Sequence, residues 1–317
     1  MNALAPTTPL VRAAGLSKRF GDVQAVDALG FGVAAGEIFG LVGPDGAGKT
    51  TTLRMLAGVL DADAGEAVVD GVDVMRQPEE AKLHSSYMPQ RFGLYEDLTV
   101  GENIRFYADL FDVAPAVREG DAARLLHAAG MEGFRNRFAG QLSGGMKQKL
   151  GLCCALIHTP KVLLLDEPTT GVDPVSRREF WTILYGLRAQ GVAIVISTAY
   201  LDEAERCDRL GLLHAGRMIL SGTPDALKTH MPGTVLAITC ADPRAAHVAL
   251  ENAEGLASLL LVGDGVHAVV DDAARRIPEL RQRLAQHGIA AADLRVTPPS
   301  VEDLFVALLQ QDTSHDH

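Results

Sequence analysis

The stretch Gly43-Pro44-Asp45-Gly46-Ala47-Gly48-Lys49-Thr50 decides the fold. It fits the spacing G-x-x-x-x-G-K-[ST]. It follows the apolar run EIFGLV (37–42) and opens a helical pattern, TTLRMLAGVL (51–60). A strand, a glycine-rich turn and a helix in that order make an anion cradle. Glycines let backbone N–H groups curl around phosphate oxygens, and the helix start adds unpaired donors and positive potential. Lys49 then bridges the β- and γ-phosphates of a nucleoside triphosphate, Thr50 offers its hydroxyl to Mg²⁺, and Thr51 is the next candidate contact. The alternative, a plain glycine turn, does not account for both flanks.

Working outward, short apolar runs alternate with helical patterns from Val11 to about Thr223, the pattern of an α/β domain with a largely parallel sheet. KVLLLD (161–166) and VAIVIST (192–198) are buried-type runs ending at polar residues, where an open α/β sheet places its chemistry. A triphosphate–Mg²⁺ site needs a carboxylate at the end of such a strand, and VLLLD supplies Asp166. Glu167 follows, placed to act as general base or to position an attacking water, a role worth ~10²- to 10⁴-fold.

The chain has 317 residues, 47% of them apolar; at roughly 150 residues per domain this allows about two domains. Mean hydropathy is +0.11, yet the apolar runs stop well short of the ~18–20 residues that cross hydrocarbon. The start MNALAPTTPLVR lacks the basic and apolar blocks of a secretory signal, so a cytoplasmic protein is expected. Forty acids against 29 Lys and Arg leave a net charge of −11, which argues against nucleic acid as the main partner. Four cysteines without metal-ligand spacing make no disulfide framework, and the adjacent Cys153 and Cys154 read as core.

Between Gln90 and Thr159 the pattern turns helical: ENIRFYADLF, DAARLLHAAG and MKQKLGLCCALI. Before the last of these stands Leu142-Ser143-Gly144-Gly145-Met146-Lys147-Gln148, a hydroxyl and bare N–H groups at a helix start, hence a second anion site. A chain with one phosphate loop uses a second such site if it reads the nucleotide held by another subunit. This resembles the signature motif of ABC ATPases. The remaining motifs agree in order: Phe20 in SKRFG, the phosphate loop, Gln90 in YMPQ, the signature, Asp166-Glu167, and Asp173 in GVDP.

The resemblance covers about residues 11–225 and implies a P-loop NTPase (ABC ATPase) core of α/β class, with a helical subdomain inserted at about 91–160. It implies that ATP and Mg²⁺ bind, with Thr50, Gln90 and Asp166 around the metal and Gln90 and Glu167 serving catalysis. Phe20 would stack on adenine, although alone it reads as core. Gln90, by itself a surface amide, would link the site to a transmembrane permease subunit docked near Tyr95 to Val100. Ser143, Gly144, Gly145, Met146 and Gln148 would face the nucleotide of an ATPase dimer partner, and Asp173 would lie at that interface. The chain would then work on the cytoplasmic face of the inner or plasma membrane.

Residues 1–10 read as a disordered start, 232–310 as a small C-terminal α+β appendage and 311–317 as a disordered tail. Residues 231–317 hold no lysine and 6 arginines against 12 acids. Strands TVLAITC, HAVV and ADLRVT, the helix ARRIPELRQRLAQHG and a capped helix SVEDLFVALLQQ resemble the tail of drug- or antibiotic-efflux exporter ATPases. Importers share the other motifs. One departure stands out: after Ser197-Thr198 the family has a histidine, and this chain has Ala199. Losing one preorganised donor costs ~10²- to 10³-fold. The open alternatives are slower turnover in a homodimer, an asymmetric pair whose other member keeps its histidine, a slow or non-hydrolysing regulatory subunit, and a soluble ABC ATPase not tied to transport.

Overall fold

The computed structural model describes residues 8–91, 93–289 and 293–315. The chain divides into two compact units, residues 1–200 with 207–221 and residues 201–206 with 222–317. The division at residue 222 falls slightly before the expected domain end at 225. Residues 1–7 of the expected loose start, 316–317 of the expected tail and Ala292 of ADLRVT lie outside the described residues.

The first unit runs β1 (Val11–Phe20), β2 (Val23–Val33), β3 (Ile38–Val42), α1 (Lys49–Leu56), β4 (Ala64–Val69), β5 (Val72–Asp73), α2 (Pro78–His84) and β6 (Ser85–Met88). It continues with α3 (Val100–Leu110), α4 (Pro115–Ala128), α5 (Gly144–Leu156), β7 (Val162–Asp166), α6 (Pro174–Ala189) and β8 (Ala193–Thr198). After a short helix, α7 (Leu201–Ala204), which belongs to the second unit, come β9 (Arg209–His214) and β10 (Arg217–Gly222).

Six strands form one sheet in the order β10-β9-β3-β8-β7-β6. β3 pairs in parallel with β8 and β9, and β7 pairs in parallel with β6 and β8. Every residue of β3, β7 and β8 is buried, which is why these strands read as continuous apolar runs rather than alternating ones. Parallel register brings their C-terminal ends to one edge: Val42 lies opposite Thr198, and Asp166 opposite Ser197. Each strand starts one residue later than its apolar run suggests.

The expectation of a largely parallel sheet fails over residues 11–33 and 64–73, where β2-β1-β4-β5 make a separate antiparallel sheet. β1 and β2 are only partly buried, as suits strands covered on one face. Helices α3, α4 and α5 lie between β6 and β7, matching the expected insertion. Thr99 starts α3 with a reciprocal capping box to Glu102. In α5, Cys153 and Cys154 pack into the core; burial pushes the Cys153 thiol up to about 12 and Cys154 well above its ordinary value.

The second unit holds α8 (Pro224–Lys228), β11 (Thr234–Thr239), α9 (Pro243–Leu250), β12 (Leu256–Val262), β13 (Gly265–Val270), α10 (Ala273–Gln286), β14 (Asp293–Val296) and α11 (Val301–His315). Its four strands form a sheet in the order β12-β13-β11-β14. Leu236, Ile238 and Val266 of the sheet pack with Leu250 of α9 and with Leu280 and Leu284 of α10. The arrangement is α+β, with α9 and β12 not anticipated. The expected cap of α11 forms: Asp303 accepts from Ser300 N and Oγ and donates its own N–H to Ser300 Oγ. That helix continues to His315, past the expected end of order at residue 310, because neither glycine nor proline interrupts QQDTSH. Among the described residues no helix is long and apolar enough to cross a membrane.

Candidate functional site

The phosphate loop leaves β3 at Gly43, whose N–H donates to Thr198 O at 3.4 Å. Glycine is required here because a Cβ would lie 2.3 Å from Leu213 O. Gly48 caps α1 at φ 98°, and a Cβ there would sit 2.4 Å from Ala25 O. Pro44, Asp45 and Gly46 are exposed at the turn while Ala47 is buried beneath it. Lys49, the first residue of α1, is 4% exposed. Its Nζ donates to Gly43 O (2.8 Å) and Pro44 O (3.0 Å) and faces Glu167 Oε1 at 3.1 Å. The ammonium is thus held over the loop rather than extended into water, and Thr50 and Thr51 follow on the first turn.

Asp166 ends β7 almost wholly buried and accepts three hydroxyls: Thr50 Oγ1 (2.9 Å) and Ser197 Oγ (2.8 Å) on one oxygen, Tyr87 OH (3.1 Å) on the other. Burial, then the Asp166 charge, pushes the Tyr87 phenol up to about 12. Glu167 turns out of the strand at φ 47°, its N–H donating to Ser197 Oγ at 3.0 Å. Gln90 Nε2 donates to Glu167 Oε2 at 3.2 Å. Lys49, Thr50, Gln90, Asp166 and Glu167, predicted from separate motifs, therefore form one cluster. Tyr87 and Ser197 belong to it as well and were missed. Their signals were a hydroxyl three residues before Gln90 and one at the polar end of β8.

A carboxylate and a hydroxyl 2.9 Å apart are hard oxygen donors suited to Mg²⁺, which takes one or two protein ligands and completes its shell with water and substrate phosphates. Among the described residues no group of three or more His, Cys, Asp or Glu could hold a metal alone, so the residues present fit a metal shared with phosphate.

The remaining predicted residues, Phe20, Ser143, Gly144, Gly145, Met146, Gln148 and Asp173, stand on other elements. Phe20 ends β1 half-exposed, with Lys18 Nζ 5.7 Å from its ring centre; the core alternative is thereby corrected, because a strand end beside a turn leaves one ring face open. Ser143 caps α5, its Oγ accepting from Met146 N at 3.3 Å. Gly144 is exposed, and Met146 and Gln148 are half-buried. Gly145 packs so closely on α6 that a Cβ would lie 2.4 Å from Ser176. Asp173 caps α6, accepting from Ser176 N (2.9 Å) and Val175 N (3.0 Å); the Ser176 N–H first of all holds its carboxyl below the ordinary range. Ala199 is exposed just beyond β8 and offers no side-chain donor.

Residues 26–170 match the family described as ABC transporter. The chain is 45% identical over 305 residues to a probable multidrug ABC transporter ATP-binding protein of Escherichia coli (strain K12), covering 93% of this chain and 51% of that protein. It thus spans about half the length of that relative. It is 38% identical over 299 residues to Nod factor export ATP-binding protein I of Rhizobium etli, covering 92% of this chain and 91% of that one. Among solved structures, the ATP-binding subunit of an ABC transporter matches with a TM-score of 0.64 at 31% identity, over 69% of this chain and 92% of that one. With the phosphate loop, the paired carboxylates and the signature helix all in place, these likenesses show that the chain belongs to the ABC transporter family.

Proposed function

We propose that the chain is the ATP-binding, energy-coupling subunit of an ABC exporter, hydrolysing ATP in a head-to-tail dimer to drive transport through a transmembrane permease partner. The observation that carries this reading is the cluster in which Lys49 and Glu167 meet at 3.1 Å beside the Thr50–Asp166 pair. Loop N–H groups and Lys49 bind the β- and γ-phosphates. Thr50 and Asp166 would hold Mg²⁺, which when bound neutralises charge on those phosphates. Glu167, oriented by Gln90 and by its own N–H bond to Ser197, takes the proton of the attacking water. Ser143 and Gly144, exposed at the start of α5, suit the γ-phosphate of a second subunit, with Asp173 at that interface. Export is supported by the name of the Rhizobium etli relative, and a transport partner by membership of the ABC transporter family. The exposed aromatics Tyr95 and Phe106, packed edge to face at 4.6 Å, offer an apolar surface for the partner on the cytoplasmic face.

Ala199 favours a second reading, in which this chain hydrolyses slowly and its intact signature completes the faster site of a different ATPase subunit. The experiment is to measure ATP hydrolysis by the purified chain alone and reconstituted with a multi-span membrane protein that co-purifies with it. Stimulated hydrolysis in the complex supports the exporter reading. Equal hydrolysis with and without a membrane protein contradicts it, and fast hydrolysis by the chain alone contradicts the asymmetric pair.

A further inference from the structure

The end of β8 touches the phosphate loop, Asp166 and Glu167. Thr198 O accepts from Gly43 of the phosphate loop at 3.4 Å, Ser197 Oγ donates to Asp166 at 2.8 Å, and the same hydroxyl accepts from Glu167 N at 3.0 Å. The placement of the catalytic carboxylate therefore depends on where residues 197 and 198 are held. The next residue, Ala199, has no side-chain donor or acceptor to hold them. The one after it holds them: Tyr200 N donates to Thr198 Oγ1 at 2.9 Å, closing a tight turn, and the Tyr200 ring is covered by the Arg177 guanidinium, whose central carbon lies 4.5 Å from the ring centre. At that distance a guanidinium stacks on a ring face and is attracted by its quadrupole.

Arg177 stands in the first turn of α6, its N–H bonded to Asp173 O at 2.9 Å. Asp173 caps this turn, and the neighbouring Ser176 is the residue against which Gly145 of the signature helix packs. The stack thus ties the turn that carries the catalytic strand end to the turn that carries Asp173 and abuts the signature.

We propose that Arg177 and Tyr200 are positioning residues for hydrolysis at Glu167. Their stacked side chains fix the 197–200 turn, and through Ser197 the Glu167 carboxylate, relative to the Asp173 turn and the signature helix. The pair acts through Glu167 and touches no substrate. The inference rests on the ATPase reading above. It requires the planar faces of both groups: a lysine ammonium is a point charge without the flat face that stacks.

The test compares kcat and ATP affinity of the full-length chain, in the reconstituted assembly, for Tyr200→Leu, Tyr200→Phe, Arg177→Met and the double variant Tyr200→Leu/Arg177→Met. Tyr200→Leu and Arg177→Met each lower kcat roughly tenfold at unchanged ATP affinity, Tyr200→Phe retains the parent rate because the ring face remains, and the double variant is no slower than either single one. A Tyr200→Leu kcat within about twofold of the parent, or a double variant whose losses multiply as for independent sites, overturns the proposal. So does a loss confined to ATP affinity. Should Arg177→Met fail to fold, Tyr200→Leu against Tyr200→Phe decides alone: equal rates overturn the proposal and a selective loss in the leucine variant supports it. Absence of ATP hydrolysis by the unsubstituted assembly is a separate outcome; it removes the ATPase reading and this proposal with it.

Discussion

Lys49 Nζ lies 3.1 Å from Glu167 Oε1, with both side chains largely removed from solvent. In the proposed reading, the residue that binds phosphate and the residue that activates water are thus direct partners. A γ-phosphate arriving on the loop would compete with Glu167 for Lys49, so filling the site would also free the carboxylate for its water. On this reading phosphate binding and readiness for hydrolysis would be coupled through one ammonium group.

Removing that ammonium tests the first half of this coupling. Lys49→Ala is expected to weaken ATP binding ~10- to 100-fold, the scale of a lost charge-assisted hydrogen bond. Calorimetric titration of ATP measures it, and unchanged affinity would contradict the phosphate-loop assignment.

The loop backbone is the second target. Gly48→Ala places a Cβ against Ala25 O at 2.4 Å on a residue with φ 98°. The positive φ alone costs about 1–3 kcal/mol, so urea unfolding should show a loss of stability of at least that size together with lost ATP binding. Gly46→Ala is the control: its Cβ meets no atom within 4 Å at φ 80°, and the loss there should be confined to the backbone strain. Equal stability of Gly48→Ala and the parent would show that the loop adopts another path.

The buried Tyr87 phenol gives a pH signature. Its value is raised from 10.0 in the free side chain to about 12, chiefly by burial and then by the Asp166 charge. A raised value favours the neutral form in the fold, so this contribution to stability is complete below about pH 10 and is lost as pH rises toward 12. Tyr107 is pushed up to about 12 as well, again by burial. Alkaline spectrophotometric titration should therefore show late phenol ionisation near pH 12, part of which Tyr87→Phe removes. A Tyr87→Phe curve with the late ionisation undiminished would refute the burial of the Tyr87 phenol.

Restoring the missing donor is a gain-of-function test. Ala199→His is expected to raise the hydrolysis rate, up to ~10²-fold if the imidazole reaches the γ-phosphate, since one preorganised donor is worth about that much. Unchanged kcat would show that the low donor count at residue 199 does not limit turnover.

How far the site was legible from sequence follows from what each part demands of its residues. The phosphate loop was legible because its backbone tolerates only glycine at positions such as Gly43 and Gly48, and β3, β7 and β8 were legible because burial on both faces writes an unbroken apolar run. The antiparallel sheet was not, since β1 pairs with β2 through repeated register shifts between Ala13 and Arg19, and such bulges break the alternation by which a half-buried strand is read. Tyr87 and Ser197 escaped for a different reason. Each is a polar residue in or at the end of a strand whose meaning depends on the neighbouring strand, and Ser197 meets Asp166 only through the parallel register of β7 and β8. The contact between Arg177 and Tyr200 likewise exists only once α6 is laid beside the end of β8.

The central claim is that Glu167 cleaves ATP held by Lys49 and Thr50. The direct measurement is single-turnover hydrolysis with enzyme in excess, run in parallel with ATP binding, for the parent and Glu167→Gln. The account predicts that the glutamine variant binds ATP at least as tightly as the parent and cleaves it ~10²- to 10⁴-fold more slowly, as for loss of a general base. Cleavage by Glu167→Gln at the parent rate would contradict it.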